Sequence, residues 1–514
     1  MQAVFESLND IFKFIGPVSD WLWEFPTNYA WYSSIPVLGS FPLAIILLLG
    51  CGLFFTIKTG FVQLTHFGAG MRSMITKQKA KTGLSSLGGF FMSTAMRVGP
   101  GNIIGVTGAI TTGGPGALFW MWVSAFLGMA TAYVESVLAQ IFKEKKEGEY
   151  VGGLPFYGKR LLGNRAAVGV FLSLLYILYA LCCLPAQSFN TISALSSMVT
   201  IVTGVAYDVN STLYYALGIV IVIITAVIAF GGVRAASKVN NKLVPVMAAV
   251  YCVAVLALVL MNLRRVPAFF VDVLGGAFKA EAIFGGVFGT VIAQGVKRGL
   301  MSNEAGQGTI TMAAATAEVD HPAKQGFVES IGVFLDTIVI CTLTGFVVVM
   351  AQLWQGPNSA AFMSMDRLPK FIASVAELTP GAAVNVVSTM LVTVCFALFA
   401  YTCVTSFLSF SEIAANRISK NPMFINIVRA MCIVCTVFGL LCNMAGLNLD
   451  NLWLFSDLGN ILIVLFNIPL LLIGAKYVFR ATRHYKKHDG TRFDSSVIGC
   501  KAPYWDERTI DEDV

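Results

Sequence analysis

The chain has 514 residues, of which 56% are hydrophobic and only 12% are charged, and its net charge is +7. Soluble domains usually carry about 25% charged residues, so most of this surface must face something other than water. The basic excess suits cytoplasmic loops of a membrane protein and requires no nucleic-acid partner. The sequence offers no nucleophile–base pair, metal-ligand cluster or phosphate loop, so we do not expect an enzyme.

The first 37 residues are rich in tryptophan and phenylalanine and carry scattered acidic residues. This composition is typical of a segment at a membrane interface, and we expect residues 1–37 to lie there on the outer side. They lack the basic start and the compact apolar core of a signal peptide.

Apolar runs of about 20 residues, each able to cross a bilayer as a helix, fill most of the remaining chain. We therefore expect an all-α integral membrane protein with about eleven transmembrane helices. The predicted spans are 38–57, 87–112, 116–140, 166–202, 212–231, 242–262, 283–300, 326–354, 386–412, 425–443 and 452–479. The fourth contains Pro185, which kinks a membrane helix without ending it. A basic tail, residues 480–514, follows the last span.

The lysine and arginine residues set the expected orientation. If the N-terminus is outside, six of the 35 fall on the outer side and nearly all of the others fall on the cytoplasmic side. The six are Lys13, Arg264, Arg265, Lys279, Arg367 and Lys370. Because cytoplasmic loops carry the excess of positive charge, we expect the N-terminus outside and the C-terminal tail in the cytoplasm.

The ten spans after the first divide into two sets of five. We interpret residues 38–57 as an extra leading helix, 86–262 as a first five-helix repeat and 283–479 as a second. Because five is odd, the second set must cross the membrane in the opposite sense. This is the inverted-repeat plan of many secondary transporters.

Each repeat begins with a span that glycine interrupts. The interruptions read VGPGN at 98–102 and FGGVFG at 284–289. Gly and Pro are poor helix formers, and inside lipid the freed backbone groups need other partners. Unwound stretches at matching positions of two repeats indicate a binding site, with freed amides suited to a carboxylate and freed carbonyls to a cation. For a single glycine pair the alternative is close helix packing.

Longer strings around these breaks carry a family resemblance. They are RVGPGNI at 97–103, GGPGALFWMW at 113–122, RGLMSNEAG at 298–306, DHP at 320–322, QG at 325–326 and FLDT at 334–337. From about residue 40 to 480 the chain resembles the alanine/glycine:cation symporter family, also called sodium:alanine symporters. The resemblance implies the inverted-repeat fold of the leucine transporter with one extra leading helix. It also implies coupling to Na⁺, less often H⁺, and substrates such as alanine, glycine or glutamine.

By this resemblance the two breaks bind the substrate. Amides near Gly99 and Gly101 would hold its carboxylate, and Asn102 would lie near carboxylate and cation, or else cap the break. Pro100 departs from the small hydroxyl residue usual in the family and removes one N–H donor, although it suits the start of a second half-helix. Gly285 and Gly286 would contact the substrate from the second break.

Three further side chains are expected to line the same site. Gln187 follows the kink at Pro185 and matches a glutamine of the family; a buried amide tends to face a cavity, and the alternative is an inter-helix hydrogen bond. Phe407 replaces a tryptophan common in the family, which keeps an aromatic wall but removes the indole donor. Phe288 would form the facing wall. The alternative for either phenylalanine is core or lipid packing.

The resemblance also places a sodium site at the carbonyls of Ala95 and Val98, opposite Thr402 and Cys403. Family members usually carry two hydroxyl residues at the last two positions. Thr402 offers a hard oxygen ligand, or bonds back to its own helix. Cys403 is a poor ligand for an alkali cation, so the site is weakened or completed by water.

Charged residues inside spans are expected to be functional or paired. Arg97, Glu135 and Asp336 are candidates for gating or for fixed ion pairs, and Arg97 adjoins the first break, where it could assist anion binding. Asp457 in the last span has the same two interpretations. We expect the polar stretch 302–308, at the cytoplasmic end of the second broken helix, to be loop structure.

These observations predict Na⁺-coupled symport of a small neutral amino acid, alanine or glycine first, into the cytoplasm by alternating access. The alternatives are glutamine or another larger neutral amino acid, H⁺ coupling, and a sensor that binds an amino acid without transporting it. The expected partners are the amino acid, Na⁺ as coupling ion, and the lipid bilayer of a bacterial inner membrane. No obligatory protein partner is implied.

Overall fold

The computed structural model describes residues 14–35, 38–75, 84–146, 149–205, 211–278, 287–357, 359–447, 449–488, 492–502 and 504–507. Nearly all regular structure within these segments is helical. Two short strands, β1 (Glu144–Lys146) and β2 (Glu149–Val151), pair antiparallel. Leu84 forms an isolated parallel bridge with Ala317. The predicted all-α membrane fold is confirmed.

The first half of the chain carries ten numbered helices, preceded by helical residues 14–24. They are α1 (Ala30–Ser33), α2 (Leu43–Thr59), α3 (Val62–Thr65), α4 (Phe67–Ile75), α5 (Ser86–Arg97), α6 (Ile104–Gly113), α7 (Gly116–Ile141), α8 (Leu154–Leu161), α9 (Ala166–Thr203) and α10 (Thr212–Met261). Short 3₁₀ turns lie at Leu38–Ser40, Pro100–Asn102 and Leu263–Arg265.

The second half continues with ten more helices and a final 3₁₀ turn at Ser495–Ile498. The helices are α11 (Val266–Ala277), α12 (Val287–Asn303), α13 (Thr311–Thr316), α14 (Pro322–Val333), α15 (Thr342–Ala351), α16 (Ser359–Ser364), α17 (Arg367–Leu378), α18 (Ala382–Ile418), α19 (Pro422–Met444) and α20 (Leu449–Lys487). A π-helical segment, Phe334–Cys341, joins α14 to α15.

Seven helices among the described residues are long and apolar enough to cross a membrane. They are Gly116–Ile141, Ala166–Thr203, Thr212–Met261, Pro322–Ala351, Ala382–Ile418, Pro422–Met444 and Leu449–Lys487. The leading helix Leu43–Thr59 is apolar but shorter. These helices correspond to nine of the predicted spans. The other two, 87–112 and 283–300, are the spans in which we expected breaks.

The first predicted break is confirmed. Helix α5 ends at Arg97, a 3₁₀ turn occupies Pro100–Asn102, and α6 begins at Ile104. Pro100 opens the short turn, where its missing N–H leaves no hydrogen bond unmade.

The break predicted at the glycine cluster 284–289 lies partly outside the described residues, and within them the second break is found at another position. Residues 284–286 are outside the described residues, and residues 287–289 belong to α12. The helix is instead interrupted at 304–310, between α12 and α13. Glu304, Gly306 and Gly308 have positive φ there, and the whole stretch is buried. We expected a loop at this position, and the structure has irregular backbone enclosed by protein, as a membrane requires.

Helix α9 is one long helix that runs through Pro185, as predicted. Helix α10 combines the predicted spans 212–231 and 242–262 without a loop between them. At Gly232 the backbone has φ 71° and ψ −171°, a conformation open essentially to glycine alone. Thr225 and Tyr251 both face the middle of α18, whereas Gly232 lies at its end beside Glu412. The chain therefore reverses at Gly232.

The closest helix packing joins helices at equivalent positions of the two proposed repeats. Helix α9 packs most extensively on α18, and α7 packs on α14. This pairing is compatible with an inverted repeat, and the division into 86–262 and 283–479 stays a prediction. Beyond α20, residues 492–507 fold back on the body of the protein. Phe493 N–H donates to the Asp320 carbonyl at 2.9 Å, and Trp505 Nε1 donates to the Gln140 carbonyl at 2.8 Å.

Candidate functional site

A cavity of about 400 Å³ lies where the two breaks face each other. Its lining comes from the first break, from α9 and α18, from the end of α12 and from α20. The lining residues are Met96, Arg97, Gly99, Pro100, Gly101, Tyr179, Cys183, Gln187, Met301, Glu304, Cys403, Phe407, Trp453, Ser456 and Asn460. Four predicted substrate contacts, Gly99, Gly101, Gln187 and Phe407, thus share one cavity, together with Arg97 and Cys403 from the other predicted sets.

The first break forms one wall of the cavity, and its amides are only partly available. The Gly99 N–H donates to Asn102 Oδ1 at 2.8 Å, so Asn102 caps the break. Pro100 has no N–H to offer. No hydrogen bond is recorded for the Gly101 amide among the described residues. The expected pair of carboxylate donors is therefore reduced to Gly101, unless the Gly99 amide leaves Asn102.

Asn102 lies behind this wall and bonds to Asp336. Its Nδ2 donates to Asp336 Oδ1 at 2.6 Å, while Ser302 Oγ and Thr337 Oγ1 each donate to Oδ2 at 2.8 Å. Asp336 is fully buried in the π-helical segment, and such segments are frequent at functional sites. The cluster of Asn102, Ser302, Asp336 and Thr337 joins the first break to the end of α12.

Arg97 makes a second connection between the breaks. Its Nη1 donates to Glu329 Oε2 at 2.7 Å, and its Nε donates to the Asn303 carbonyl at 3.1 Å. Both charged side chains are fully buried, and Glu329 also accepts bonds from Ser93 and Gln325. Arg97 thus forms an ion pair with a partner that the sequence did not identify. Its Nη2 is buried without a recorded partner among the described residues.

The second break is held by Glu135 of α7. Its Oε1 accepts from the Gly308 N–H at 2.8 Å and from Asn467 Nδ2 at 2.6 Å. Asn467 Nδ2 also donates to the Gly306 carbonyl at 2.9 Å. Glu135 therefore satisfies backbone groups that the interruption leaves unpaired. It is a positioning residue for this loop rather than a partner of Arg97.

Aromatic side chains form the wall opposite the breaks. The Phe407 and Tyr179 rings lie 5.6 Å apart, centre to centre, and the Tyr179 hydroxyl donates to Gln307 at 3.2 Å. Gln187 reaches the cavity from the kink at Pro185, and its Oε1 is buried without a recorded partner in the described segments. Such an amide suits a polar ligand, because an unpaired buried acceptor is unfavourable.

Two of the predicted sodium ligands, Ala95 and Cys403, are in contact, and both are engaged by the protein. Cys403 Sγ is 3.6 Å from the Ala95 carbonyl and 3.4 Å from that of Met96. Thr402 Oγ1 donates to the Phe399 carbonyl of its own helix at 3.1 Å, the back-bond alternative. Val98 is buried at the end of α5. Gly285 and Gly286 lie outside the described residues, as does the side chain of Phe288.

A charged layer covers the side of the cavity formed by α20. Lys297 Nζ is 2.6 Å and Arg298 Nη1 is 3.4 Å from the Asp457 carboxylate. The Trp453 ring, which lines the cavity, lies 5.6 Å from the Arg298 guanidinium and 5.8 Å from that of Arg367.

Buried charge around the two breaks is strongly unbalanced. Four carboxylates, those of Glu135, Glu304, Glu329 and Asp336, surround the one guanidinium of Arg97 in this part of the described structure, and each is at most 5% exposed. Unpaired charges inside a membrane protein are costly, so the excess of acid favours bound cations. The arrangement can hold a zwitterion and a cation, and it contains no nucleophile–base pair suited to catalysis.

Sequence reasoning did not identify Tyr179, Glu304, Glu329 or Trp453. Glu304 lies in the RGLMSNEAG string, yet its polar neighbours suggested the end of a helix. Glu329 is separated from Arg97 by 232 positions, and nothing local marks it as the partner. The tryptophan and tyrosine are ordinary members of apolar runs.

Comparison with known proteins identifies the family of the chain. The model of the sodium:alanine symporter family matches residues 29–497. The amino-acid carrier protein AlsT of Bacillus subtilis is 33% identical over 95% of this chain and 93% of its own length. The sodium/alanine symporter AgcS of Methanococcus maripaludis is 36% identical over 62% of this chain and 69% of its own. The probable sodium/glutamine symporter GlnT of Bacillus subtilis is 30% identical over 87% and 88%. The chain is a multi-pass membrane transporter that belongs to the sodium:alanine symporter family.

Proposed function

We propose that the protein imports a small neutral amino acid, alanine or glycine, together with Na⁺. The observation that carries this proposal is the cavity between the breaks, which is small and lined by Gly99, Gly101 and Gln187. Of its space only about 30 Å³ can hold the centre of a water molecule, so the cavity is narrow. Relatives named for alanine and for glutamine both support a neutral amino acid, and the small cavity favours the smaller one.

The first break supplies the acid-binding side of the site in this proposal. The carboxylate of the amino acid would accept from the Gly101 amide and lie near Arg97, which keeps one guanidinium nitrogen unpaired in the described structure. Gln187 would accept or donate one further hydrogen bond. The side chain of the amino acid would lie against Phe407 and Tyr179, so a methyl group fits better than a long polar chain.

Na⁺ is proposed to bind beside the carbonyls of Ala95 and Val98, where Thr402 would turn its hydroxyl from Phe399 to the ion. The excess of buried carboxylates supports a cation near this position. Na⁺ prefers oxygen ligands, so the Cys403 thiol is the weak member of the set. Coupling arises because cation and amino acid together order the two breaks, each improving the site of the other.

The charged layer of Lys297, Arg298 and Asp457 is proposed to be the outer gate, with the N-terminus outside and the tail in the cytoplasm. At the opposite end, Gln140 Nε2 and Lys143 Nζ donate to the Ala317 carbonyl at 2.9 Å and 2.8 Å, which fastens the chain after α13. In alternating access one set of contacts opens while the other stays closed. The helices of the two breaks would move as one bundle against α9 and α18.

Uptake of labelled alanine into proteoliposomes, with an inward Na⁺ gradient or with K⁺ in its place, tests the proposal. We expect accumulation above equilibrium only with Na⁺, and competition by glycine more than by glutamine. Binding without gradient-driven accumulation would instead identify a sensor.

The same assay can test the placement of the site. A Cβ on Gly101 would meet the Met301 carbonyl at 3.4 Å, so Gly101→Leu should fill the cavity and abolish uptake. Gly105→Ala is the control, because a Cβ there meets no atom within 4 Å. Normal uptake by the Gly101→Leu variant would contradict the placement.

H⁺ coupling is the second candidate, and the four buried carboxylates favour it because protonation would also neutralise them. Accumulation driven by a pH gradient in the absence of Na⁺ would establish that alternative.

A further inference from the structure

Glu304 has an unusual position in the second break. It is a non-glycine residue with φ 57°, in the left-handed region that most side chains avoid. Its side chain lines the cavity and the residue is only 5% exposed. The loop is bonded on both sides of it, because the Glu304 N–H donates to the Leu300 carbonyl at 2.8 Å and its own carbonyl accepts from Gln307 at 3.2 Å. The strained backbone therefore fixes a carboxylate at the edge of the cavity.

One oxygen of this carboxylate is used by the protein. Thr309 Oγ1 donates to Glu304 Oε2 at 2.6 Å. Within the described segments the carboxylate accepts this one hydrogen bond, so its Oε1 is available to a ligand. By contrast, Asp336 and Glu329 each accept three or more hydrogen bonds. Among the carboxylates around the breaks, Glu304 is the one that lines the cavity with an oxygen still to be satisfied.

The cavity is thus polar at two places and apolar between them. Arg97 and the Gly101 amide supply positive charge and a donor at the first break, and Glu304 supplies negative charge at the second. Arg97 is near enough to interact electrostatically with Glu304. The walls between include Phe407 and Met301, which cannot satisfy a charge. A ligand with separated positive and negative groups matches this arrangement, and a charge-assisted bond to carboxylate is strong in such surroundings.

We propose that Glu304 binds the α-ammonium group of the transported amino acid and makes the site selective for zwitterions. The inference rests on the proposed function and goes further, since it names the residue that distinguishes an amino acid from a simple carboxylic acid. A ligand without an ammonium group would leave Glu304 buried and unpaired, so the site should reject it.

The first test uses the unmodified protein. Thermal stabilisation is measured in NaCl with alanine, lactate and propionate, which share the carboxylate and differ at the ammonium group. We expect stabilisation by alanine at concentrations at which lactate and propionate give none. Equal stabilisation by propionate would overturn the inference. The absence of stabilisation or uptake with every amino acid tried would instead count against the proposed function itself.

The second test compares Glu304→Gln and Glu304→Asp with Glu377→Gln, whose exposed carboxylate pairs with Arg265 far from the cavity. A hydrogen bond to a charged group corresponds to about a 10- to 100-fold change in affinity, so we expect Glu304→Gln to weaken alanine binding by that factor. Glu304→Asp should keep part of the affinity, and Glu377→Gln all of it. Size-exclusion profiles of the purified variants show whether they are folded.

Wild-type alanine affinity in a folded Glu304→Gln variant would refute the role. If transport by that variant has also lost its pH dependence, Glu304 is a proton carrier instead.

Discussion

Arg97 donates to Glu329 at 2.7 Å with both side chains fully buried, and the same guanidinium donates to the Asn303 carbonyl. The bond to Asn303 connects the first break to the end of α12, and the ion pair with Glu329 connects it to α14. A buried pair gives little net stability compared with apolar residues, but removing one partner leaves an uncompensated charge.

Glu329→Gln should therefore lower the free energy of unfolding by about 3–5 kcal/mol, because Arg97 would lose the carboxylate that pairs with it directly. Glu377→Gln is the control: its pair with Arg265 is 3.7 Å long and more than 40% exposed, which predicts an effect of about 1 kcal/mol or less. Thermal unfolding of the purified proteins measures both. Equal losses in the two variants would contradict the role of Arg97 as a buried connection.

A substitution at Cys403 should compensate for one at Gly99. A Cβ on Gly99 would lie 2.5 Å from Cys403 Sγ, although φ −128° at this residue suits any side chain. Gly99→Ala should thus lose about 1–3 kcal/mol of stability by overpacking, and alanine uptake with it. Adding Cys403→Ala should restore most of both. A double variant no better than Gly99→Ala would show that the glycine is needed for another reason.

Asp457 should control access to the cavity from its charged side. Asp457→Asn removes the charge that attracts Lys297 and Arg298, so this layer should open more often. We expect faster modification of Cys403 by an impermeant thiol reagent applied from outside, quantified by mass spectrometry of its peptide. Asp450→Asn is the control, since Asp450 is 58% exposed and pairs with Arg367. Unchanged modification would exclude an outer gate here.

His321 should make the N-terminal end of α14 sensitive to acid. Burial, with His484 and Lys324 nearby, lowers the pKa of His321 from 6.5 to about 3, and its neutral ring caps α14 by accepting from the Ala323 N–H. Because the unfolded chain binds this proton first, stability is complete above pH 6.5 and falls with pH down to about 3, by about 2 kcal/mol at pH 5.

A pH series of thermal unfolding tests this prediction. His321→Asn keeps an N-cap acceptor but cannot titrate, so it should flatten the curve between pH 7.5 and 5. Phe493→Leu is the control, because its ring packs on His321 and it should lower stability equally at each pH. A His321→Asn variant with the wild-type pH profile would refute the assignment.

Local sequence predicted those parts of the site that depend on local chemistry. Gly99-Pro100-Gly101 cannot continue a helix, and the first break is where these residues require it. Helix α9 continues through Pro185, because membrane helices tolerate proline. Gln187, Phe407 and Cys403 line the cavity; the family resemblance had assigned the first two to the substrate and Cys403 to the sodium site.

The features that the sequence did not identify depend on contacts between residues distant in sequence. The polar stretch 302–308 was expected to be a loop, and the structure adds that the irregular backbone at 304–310 is buried and interrupts a helix. Hydropathy cannot tell a polar stretch in water from one enclosed by Glu135, Asn467 and Arg97. Glu329 was missed for the same reason, since the sequence around a carboxylate in an apolar run does not indicate which arginine pairs with it.

The reversal at Gly232 has a mechanical consequence. Two legs of α10 meet without a flexible connection, and a Cβ at the turn would lie 3.1 Å from Arg429 and 3.2 Å from Glu412. Neither part of α10 can move along the membrane normal without moving the other, so both should shift as one rigid body against α18. A tag or a protease site inserted at the turn should therefore separate the two parts and disrupt their packing.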